Sequence, residues 1–211
     1  KFYYENGLDG IIVQDMGLIS YLCTDFPKLH VHGSTQLAVC SSYGARLFKD
    51  LGLKRVVLAR ELSLEEIKSI YDKTEMKLEI FVHGALCYSY SGDCLMSSLI
   101  GGRSGNRGRC AGPCRLEYDV FDNGRRINGK GGFVLSLKDL CGINDLYGLY
   151  NSGVSSFKIE GRMKQKAYAT GVVSLYRQYI DLFLDNIAKG NTNYQVSKSD
   201  YKRLMELGNR C

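Results

Sequence analysis

The sequence predicts an α/β fold built on a parallel sheet, and three observations support that prediction. Apolar runs of strand length recur in the first half of the chain, and each ends in polar residues. Amphipathic helix patterns lie between them, one of which begins with the capping-box residues Ser63 and Glu66. Alternation of strand and helix favours parallel strands joined by right-handed crossovers. We therefore expect the polar strand ends to meet at one edge of the sheet, where α/β folds build their sites.

These patterns also predict the elements in chain order. The opening segment is typical of the end of a helix and indicates that residues are missing upstream of Lys1. Strands are expected at residues 9–15, 28–36, 55–61, 78–84 and 155–162, and helices at 38–52, 63–74, 137–153 and 164–189. A hairpin with its turn at Asp122–Gly124 is expected before the third of these helices. We assign residues 1–190 to one domain, with a cysteine-rich loop at 85–115 and a hairpin insertion at 116–136, and residues 191–211 to the start of a C-terminal extension.

The composition is typical of a globular protein. Hydrophobic residues make up 45% of the 211 residues, and no apolar run is long enough for a membrane span. The eight cysteines occur without a recognisable signal peptide, which points to a reducing compartment and hence to a cytoplasmic location. The net charge of +6 permits an RNA or phosphate partner but does not require one.

Four cysteines punctuate a polar, glycine-rich segment: Cys87, Cys94, Cys110 and Cys114. Thiolates are soft ligands, and four of them suit either a tetrahedral zinc ion or an iron–sulfur cluster. The spacing is Cys-x6-Cys-x15-Cys-x3-Cys, in which only the last pair resembles the short knuckles of structural zinc sites. We therefore favour a cluster over zinc. Disulfides, which a reducing compartment disfavours, and plain buried thiols are the remaining alternatives.

Five polar residues are predicted to contact a substrate. Three are among the polar residues in which the second and third predicted strands end, and two are arginines among the cysteines: His32, Gln36, Glu61, Arg103 and Arg107. Guanidinium groups at these positions suit a phosphate or a carboxylate. The structural alternative is that the arginines offset the negative charge of a thiolate-ligated cluster.

Four more residues are predicted to be catalytic: His83, Lys158, Glu160 and Arg162. The histidine ends the fourth predicted strand, and its structural alternative is an imidazole hydrogen-bonded to a backbone carbonyl group. The other three alternate along a strand, so their side chains share one face. The alternative for these three is a buried network of ion pairs with Glu61 or Asp15.

The motifs taken together resemble those of a known family. Seven segments follow one another in order: VQDMGLI, HGSTQ, RVVLARELSLEEI, EIFVHGALCYSYSGDCLMSS, GGRSGNRGRCAGPCR, LSLKDL and FKIEGRMK. Over nearly the whole chain they resemble the collagenase-like peptidases, family thirty-two of the peptidases of unknown catalytic type. The resemblance implies a TIM-type (β/α) barrel, of which residues 1–190 would form part. This chain would supply the C-terminal five-eighths of the barrel, completed by a missing N-terminal part or by a partner subunit.

The same resemblance implies candidate activities. Some members are named collagenases, whereas others act in the hydroxylation of a tRNA wobble uridine, a 23S rRNA cytidine or the ubiquinone ring, in some cases with prephenate. In the hydroxylating relatives the loop cysteines hold a 4Fe–4S cluster, and this role carries over to Cys87, Cys94, Cys110 and Cys114. RNA is then the expected partner.

Three hypotheses of function follow. The favoured one is an iron–sulfur-dependent enzyme that hydroxylates an RNA base. A peptidase would need an activated nucleophile or a metal-bound water, yet the chain has no HExxH and no GxSxG motif. A pair of His83 and Cys87 would compete with cluster ligation for the same thiolate. The third hypothesis is a non-catalytic RNA-binding module with a structural metal.

Overall fold

A computed structural model describes residues 1–129, 131–161 and 164–207 of the chain. Its strands are β1 (Gly10–Val13), β2 (His30–Gly33), β3 (Arg55–Val57), β4 (Leu78–Gly84), β5 (Phe121–Asp122), β6 (Arg125–Arg126), β7 (Leu140–Cys141) and β8 (Ser156–Ile159). Its α-helices are α1 (Phe2–Glu5), α2 (Met16–Asp25), α3 (Ser42–Asp50), α4 (Leu64–Thr74), α5 (Met96–Gly101), α6 (Leu146–Asn151), α7 (Lys166–Ala188) and α8 (Lys198–Glu206). Within the described ranges, none of the helices is both long and apolar enough to cross a membrane.

Five strands pair in parallel in the predicted order, β1–β2–β3–β4–β8. Ile11 lies opposite Val31, and Phe81 lies opposite Lys158. The prediction of an α/β fold with a mostly parallel sheet is therefore confirmed, and the carboxyl ends of these strands share one edge. Closure of the sheet into a TIM-type barrel stays a prediction.

The segment 137–153, for which the sequence pattern predicts a single helix, is different in the structure. Leu140–Cys141 forms β7, which pairs antiparallel with the end of β4, and the helix is confined to Leu146–Asn151. The pairing of β4 shifts register between Phe81 and His83, and beside this shift the Gly142 N–H donates to the Val82 carbonyl at 2.8 Å. A strand edge without a neighbour has unpaired N–H and C=O groups, which an extended segment nearby can satisfy by pairing with it. That partner is remote in sequence, so local helix periodicity could not reveal it.

The helices pack on the apolar face of the sheet. Val56, Leu78 and Val82 are fully buried there, and α4 contributes Ile67 and Ile70 to the same core. The long amphipathic helix predicted at 164–189 is present as α7. Its buried side chains recur at helical spacing: Tyr168, Val172, Leu175, Tyr176, Tyr179 and Phe183.

A hairpin follows the cysteine-rich segment. β5 and β6 pair antiparallel around Asn123 and Gly124, whose φ angles of 47° and 76° are the left-handed values of a tight hairpin turn. The predicted turn is thus confirmed. The Asn128 amide supports the base of the hairpin, donating to the Tyr118 carbonyl and accepting from the Val120 N–H, both at 2.7 Å. The limits of the insertion and of the domains stay predictions.

Candidate functional site

The cysteine-rich segment lies across the carboxyl ends of the strands. Side chains just beyond β1 and β2 hold one point of it: Gln14 Nε2 donates to the Asn106 carbonyl at 3.3 Å, and Gln36 Nε2 donates to Asn106 Oδ1 at 3.2 Å. Glu61, beyond β3, accepts from the Ser91 N–H at 2.7 Å and from its hydroxyl at 2.9 Å. Two predicted substrate-binding residues, Gln36 and Glu61, therefore also anchor the segment.

The structure brings the four predicted metal ligands together. Cys87, Cys94, Cys110 and Cys114 line one cavity of about 270 Å³, called here the sulfur cavity. No disulfide joins any of the seven cysteines that the structure describes. Arg115 fixes the far side of this cavity, where Nη1 donates to Ser136 Oγ at 2.9 Å and to the Leu137 carbonyl at 2.8 Å, and Nη2 donates to the Leu86 carbonyl.

Two of the four thiols accept a hydrogen bond from the backbone N–H two residues further on. Met96 N–H donates to Cys94 Sγ and Gly112 N–H to Cys110 Sγ, both at 3.3 Å. Burial raises the pKa of the Cys87 thiol, and the Ser89 N–H and the nearby Arg60 guanidinium oppose that rise. Hydrogen bonds to sulfur stabilise thiolates and tune the metal centres that thiolates hold.

The donor set of this cavity is four thiols, which either a zinc ion or an iron–sulfur cluster can accept. Within the described residues, no group of three or more His, Cys, Asp or Glu side chains is arranged to hold a metal ion, although the four cysteines share one cavity. A zinc ion needs each sulfur at about 2.3 Å from one point. A cluster is a larger body, so its ligands stand farther apart around the space that it fills. Which of the two these thiols hold stays a prediction.

A second cavity, of about 440 Å³, opens beside the first at the carboxyl edge of the sheet and is called here the mouth cavity. Six residues line both cavities: Gln36, Arg60, Gly92, Gly105, Glu160 and Gly161. Arg60 lies over the Phe81 ring, with Cζ 4.2 Å from the ring centre, and Lys158 Nζ lies 5.3 Å from the same centre. The Arg60 Nε is buried and has no hydrogen-bond partner among the described residues.

A single buried carboxylate organises the inner face of the sheet below the mouth cavity. Glu79 is 8% exposed, and it pairs with Arg55 at 3.3 Å, with Lys158 at 3.2 Å and with Ser156 Oγ at 3.0 Å. The partner of Lys158 is therefore Glu79 rather than Glu61 or Asp15. The latter caps α2, where its carboxylate accepts from the Leu18 N–H at 2.7 Å.

His32 lies beside this network on β2. Its pKa is lowered by burial and by the neighbouring Arg55, and Glu79 partly opposes that effect. Sequence analysis missed Arg55, Glu79 and Arg60 as members of the site. The spacing of Glu79 could have revealed its role. Glu79 lies two residues before Phe81 on β4, so both side chains share the face that carries Lys158.

His83 is fully buried, and it is not among the described residues that line either cavity. Its ring packs against Tyr168 and Tyr176, with centroids 6.1 and 5.5 Å away, and Nδ1 lies 3.4 Å from the Tyr176 hydroxyl. Burial raises the pKa of Tyr176, so its hydroxyl stays protonated, and it donates to the Val82 carbonyl at 2.8 Å. Both the catalytic role of His83 and its structural alternative, a hydrogen bond to a backbone carbonyl group, stay predictions.

The remaining predicted residues lie at the rim or outside the described ranges. Arg103 and Arg107 are exposed, and Arg103 Nε donates to the Arg109 carbonyl at 3.0 Å. Glu160 lines both cavities. Arg162 lies outside the described residues.

Comparison with known proteins agrees with the resemblance. The model of the family described as Peptidase family U32 matches residues 1–211. The chain is 41% identical over 182 residues to the 23S rRNA 5-hydroxycytidine C2501 synthase of Escherichia coli strain K12, covering 86% of this chain and 27% of that protein. It is 37% identical over 207 residues to the tRNA hydroxylation protein P1 of Bacillus subtilis strain 168, covering 95% of this chain and 48% of that protein.

Relatives with other names are also similar. The chain is 31% identical over 189 residues to a collagenase of Porphyromonas gingivalis strain W83, covering 83% of this chain and 45% of that protein. The solved structure of the U32 peptidase Mk0906 matches at 26% identity with a TM-score of 0.36, over 40% of this chain and 34% of that one. The chain spans about half the length, or less, of the curated relatives described here.

Proposed function

Because the chain belongs to peptidase family U32, we propose that it forms part of an enzyme that hydroxylates a base in RNA and holds a 4Fe–4S cluster. The observation that carries this proposal is the set of four thiols around the sulfur cavity, two of which accept hydrogen bonds from backbone N–H groups. The names of two relatives, an rRNA hydroxycytidine synthase and a tRNA hydroxylation protein, support the substrate class. The modified base is a wobble uridine of tRNA or a cytidine of 23S rRNA.

Cys87, Cys94, Cys110 and Cys114 would hold the cluster, which supplies electron-transfer chemistry that side chains lack. The protein's own residues do the rest. Arg60 and Glu160 line both cavities and thus lie between the thiols and the space open to a substrate. The Glu61–Ser91 and Gln36–Asn106 bonds keep the segment that carries the thiols over the strand ends. Prephenate is proposed as a co-substrate and zinc is the alternative metal.

Several broader properties belong to the same proposal. The sheet is completed to a TIM-type barrel by strands that lie outside this chain, in the same protein or in a partner subunit. The protein works in the cytoplasm, where its RNA substrate is found. A non-catalytic RNA-binding module with a structural metal is the alternative that would retain the thiols without the reaction.

A collagenase-like peptidase is the second candidate, and the name of the Porphyromonas relative favours it. The residues of this chain give it little support. The one histidine close in sequence to a loop cysteine is His83, and its ring packs against two tyrosines. With the thiols committed to a cluster, no activated nucleophile is left among the candidates that the sequence offered.

The test uses the full gene product that contains this chain, purified without oxygen. We expect iron and sulfide in a ratio typical of a 4Fe–4S cluster, and a hydroxylated nucleoside in tRNA or rRNA that disappears when the gene is deleted. Complementation with Cys94→Ala should fail to restore the nucleoside, because a cluster that loses a thiolate ligand becomes labile. Cys23→Ala is the matched control, since Cys23 packs against the hydrophobic core.

Two results would decide against the hydroxylation proposal. One is an unchanged nucleoside profile together with cleavage of gelatin by cluster-free protein, which would support the peptidase. The other is stoichiometric zinc with no iron and no change in RNA, which would support the binding module.

A further inference from the structure

The mouth cavity has a surplus of positive charge on one wall. Arg60 and Lys158 both lie over the Phe81 ring, within 5.3 Å of its centre. Glu79 is the carboxylate below them, and it already pairs with both Arg55 and Lys158. Arg60 makes no ion pair among the described residues, and its buried Nε lacks a hydrogen-bond partner there. A guanidinium held in this way is ready to bind an anionic oxygen group.

The same cavity also presents hydrogen-bond acceptors. Glu160 lines it two residues after Lys158. Gln36, just beyond β2, and Asn106 of the cysteine-rich segment line it too, and a hydrogen bond joins their amides. Ile12 adds an apolar surface. A bare anion would be attracted by Arg60 but repelled by the Glu160 carboxylate. A ligand that carries an anionic group at one end and N–H donors at the other can bind both Arg60 and Glu160.

We propose that the mouth cavity binds one nucleotide extruded from the RNA, with Arg60 on its phosphate and Glu160 accepting an N–H of its base. This inference rests on the proposed function and assigns the substrate-binding residues within it. Enzymes that modify a base take it out of the stack into a pocket that reads its hydrogen-bonding edge, and carboxylates accept from the exocyclic amine of cytosine. A volume of about 440 Å³ is in the range of small-ligand sites. Glu160 and Arg60 also border the sulfur cavity, so the bound base lies next to the thiols.

The test measures binding of small probes to the full-length, anaerobically purified protein by calorimetry. The probes are CMP and UMP, the nucleosides cytidine and uridine, inorganic phosphate, and malonate as a simple dicarboxylate. We expect CMP or UMP to bind at least about tenfold more tightly than its nucleoside, since a charge-assisted contact is lost with the phosphate. Phosphate and malonate should bind more weakly than the mononucleotide.

Two variants test the Arg60 contact and the Glu160 contact separately. Arg60→Met keeps the contact with Phe81 and should weaken mononucleotide binding by about ten- to a hundredfold while leaving nucleoside binding nearly unchanged. Glu160→Gln, which is isosteric, should weaken nucleoside and mononucleotide binding by the same factor. Arg177→Met is the control, because Arg177 pairs with Asp181 on the exposed side of α7. If Arg60→Met fails to fold, the Glu160→Gln comparison still tests the assignment.

Several outcomes would overturn the inference. Malonate or phosphate binding as tightly as CMP and UMP would identify a simple anion site. Equal losses for nucleoside and mononucleotide in Arg60→Met would remove the phosphate contact. If neither mononucleotide binds while the RNA modification still depends on Cys94, the assignment fails and the proposed function stands. If they bind but deletion of the gene leaves RNA unchanged, the hydroxylation proposal fails and the nucleotide site stands.

Discussion

Glu79 shows how one residue can determine the electrostatics of the inner face. Its carboxylate accepts from Arg55 on β3 and from Lys158 and Ser156 on β8, so it links three neighbouring strands. A charge buried without partners would be costly, and two cations with one hydroxyl satisfy most of its acceptor sites. His32 lies next to these cations. Protonation of this imidazole is therefore opposed by both burial and charge.

The lowered pKa of His32 predicts a pH dependence of stability. The folded protein binds a proton at His32 less readily than the unfolded chain does. Protonation of His32 therefore favours the unfolded state, and the free energy of unfolding is greater at high pH. Stability should begin to fall as the pH drops below the unfolded value of about 6.5 and should level off below the lowered folded value. We expect the wild type to lose more of its free energy of unfolding than His32→Gln between about pH 7.5 and about pH 5.5.

Urea unfolding at the two pH values would measure this difference. His30→Gln is the matched control, because His30 is an exposed histidine on the same strand. Equal losses in the wild type and in His32→Gln would show that other groups cause the acid sensitivity.

Individual elements differ in how much of their structure is local. α4 begins with the capping box that its sequence predicts, in which Ser63 and Glu66 satisfy one another's backbone N–H groups. The end of β4 depends instead on a distant neighbour. Gly84 has a φ of 106°, and a Cβ atom there would clash with the Glu160 carbonyl oxygen and lie 3.0 Å from the Tyr168 hydroxyl. β4 thus passes into the cysteine-rich segment at a point where Glu160, just beyond β8, leaves no room for a side chain.

Gly84→Ala should therefore be strongly destabilising. The new side chain meets rigid backbone in a left-handed conformation, so we expect a loss of at least about 2 kcal/mol in the free energy of unfolding. Gly101→Ala serves as the control, because nothing lies within 4 Å of a Cβ atom at that helical position. Chemical denaturation of the two variants measures the contrast. A loss below about 0.5 kcal/mol for Gly84→Ala would show that β8 can move away.

At the scale of the whole molecule, the hydrophobic core and the candidate metal centre are separate. The buried hydrophobic residues come from the sheet and its helices, and none of the described residues between Gly84 and Gly142 is among them. The cysteine-rich segment exposes apolar side chains instead, such as Leu99 at 81% and Ile100 at 71%. Hydrogen bonds hold it in place, among them Glu61–Ser91 and the three bonds of Arg115.

Removal of the proposed cluster should accordingly loosen this segment without unfolding the sheet. We expect chelation under air to leave the far-ultraviolet circular dichroism nearly unchanged, because the core contains none of the thiols. Trypsin should then cut faster at Arg103, Arg107 and Arg109 than in the cluster-loaded protein, since segments held by few buried contacts open first. Mass spectrometry of the fragments identifies the sites. If the far-ultraviolet circular dichroism signal fell when the cluster was removed, the separation of core and metal centre would be contradicted.

Short-range patterns in the sequence were sufficient for much of the architecture. The strand–helix alternation, the capping box at Ser63, the turn at Asn123 and Gly124, and the grouping of four cysteines each depend on residues close together in the chain. Their physics is local: backbone propensity, side-chain periodicity, capping and left-handed turn residues. The order of the parallel strands was expected from the same alternation together with the family resemblance.

Only the tertiary structure decided which distant residues meet. It paired Leu140–Cys141 with β4, joined Glu79 to Arg55 and Lys158, buried His83 between tyrosines, and set Arg60 in the wall shared by two cavities. Such contacts bridge tens of residues, and their energies depend on burial and on charge at the final separation. No local pattern encodes that separation. Sequence therefore identified the thiols, whereas the fold alone revealed the charged cavity beside them.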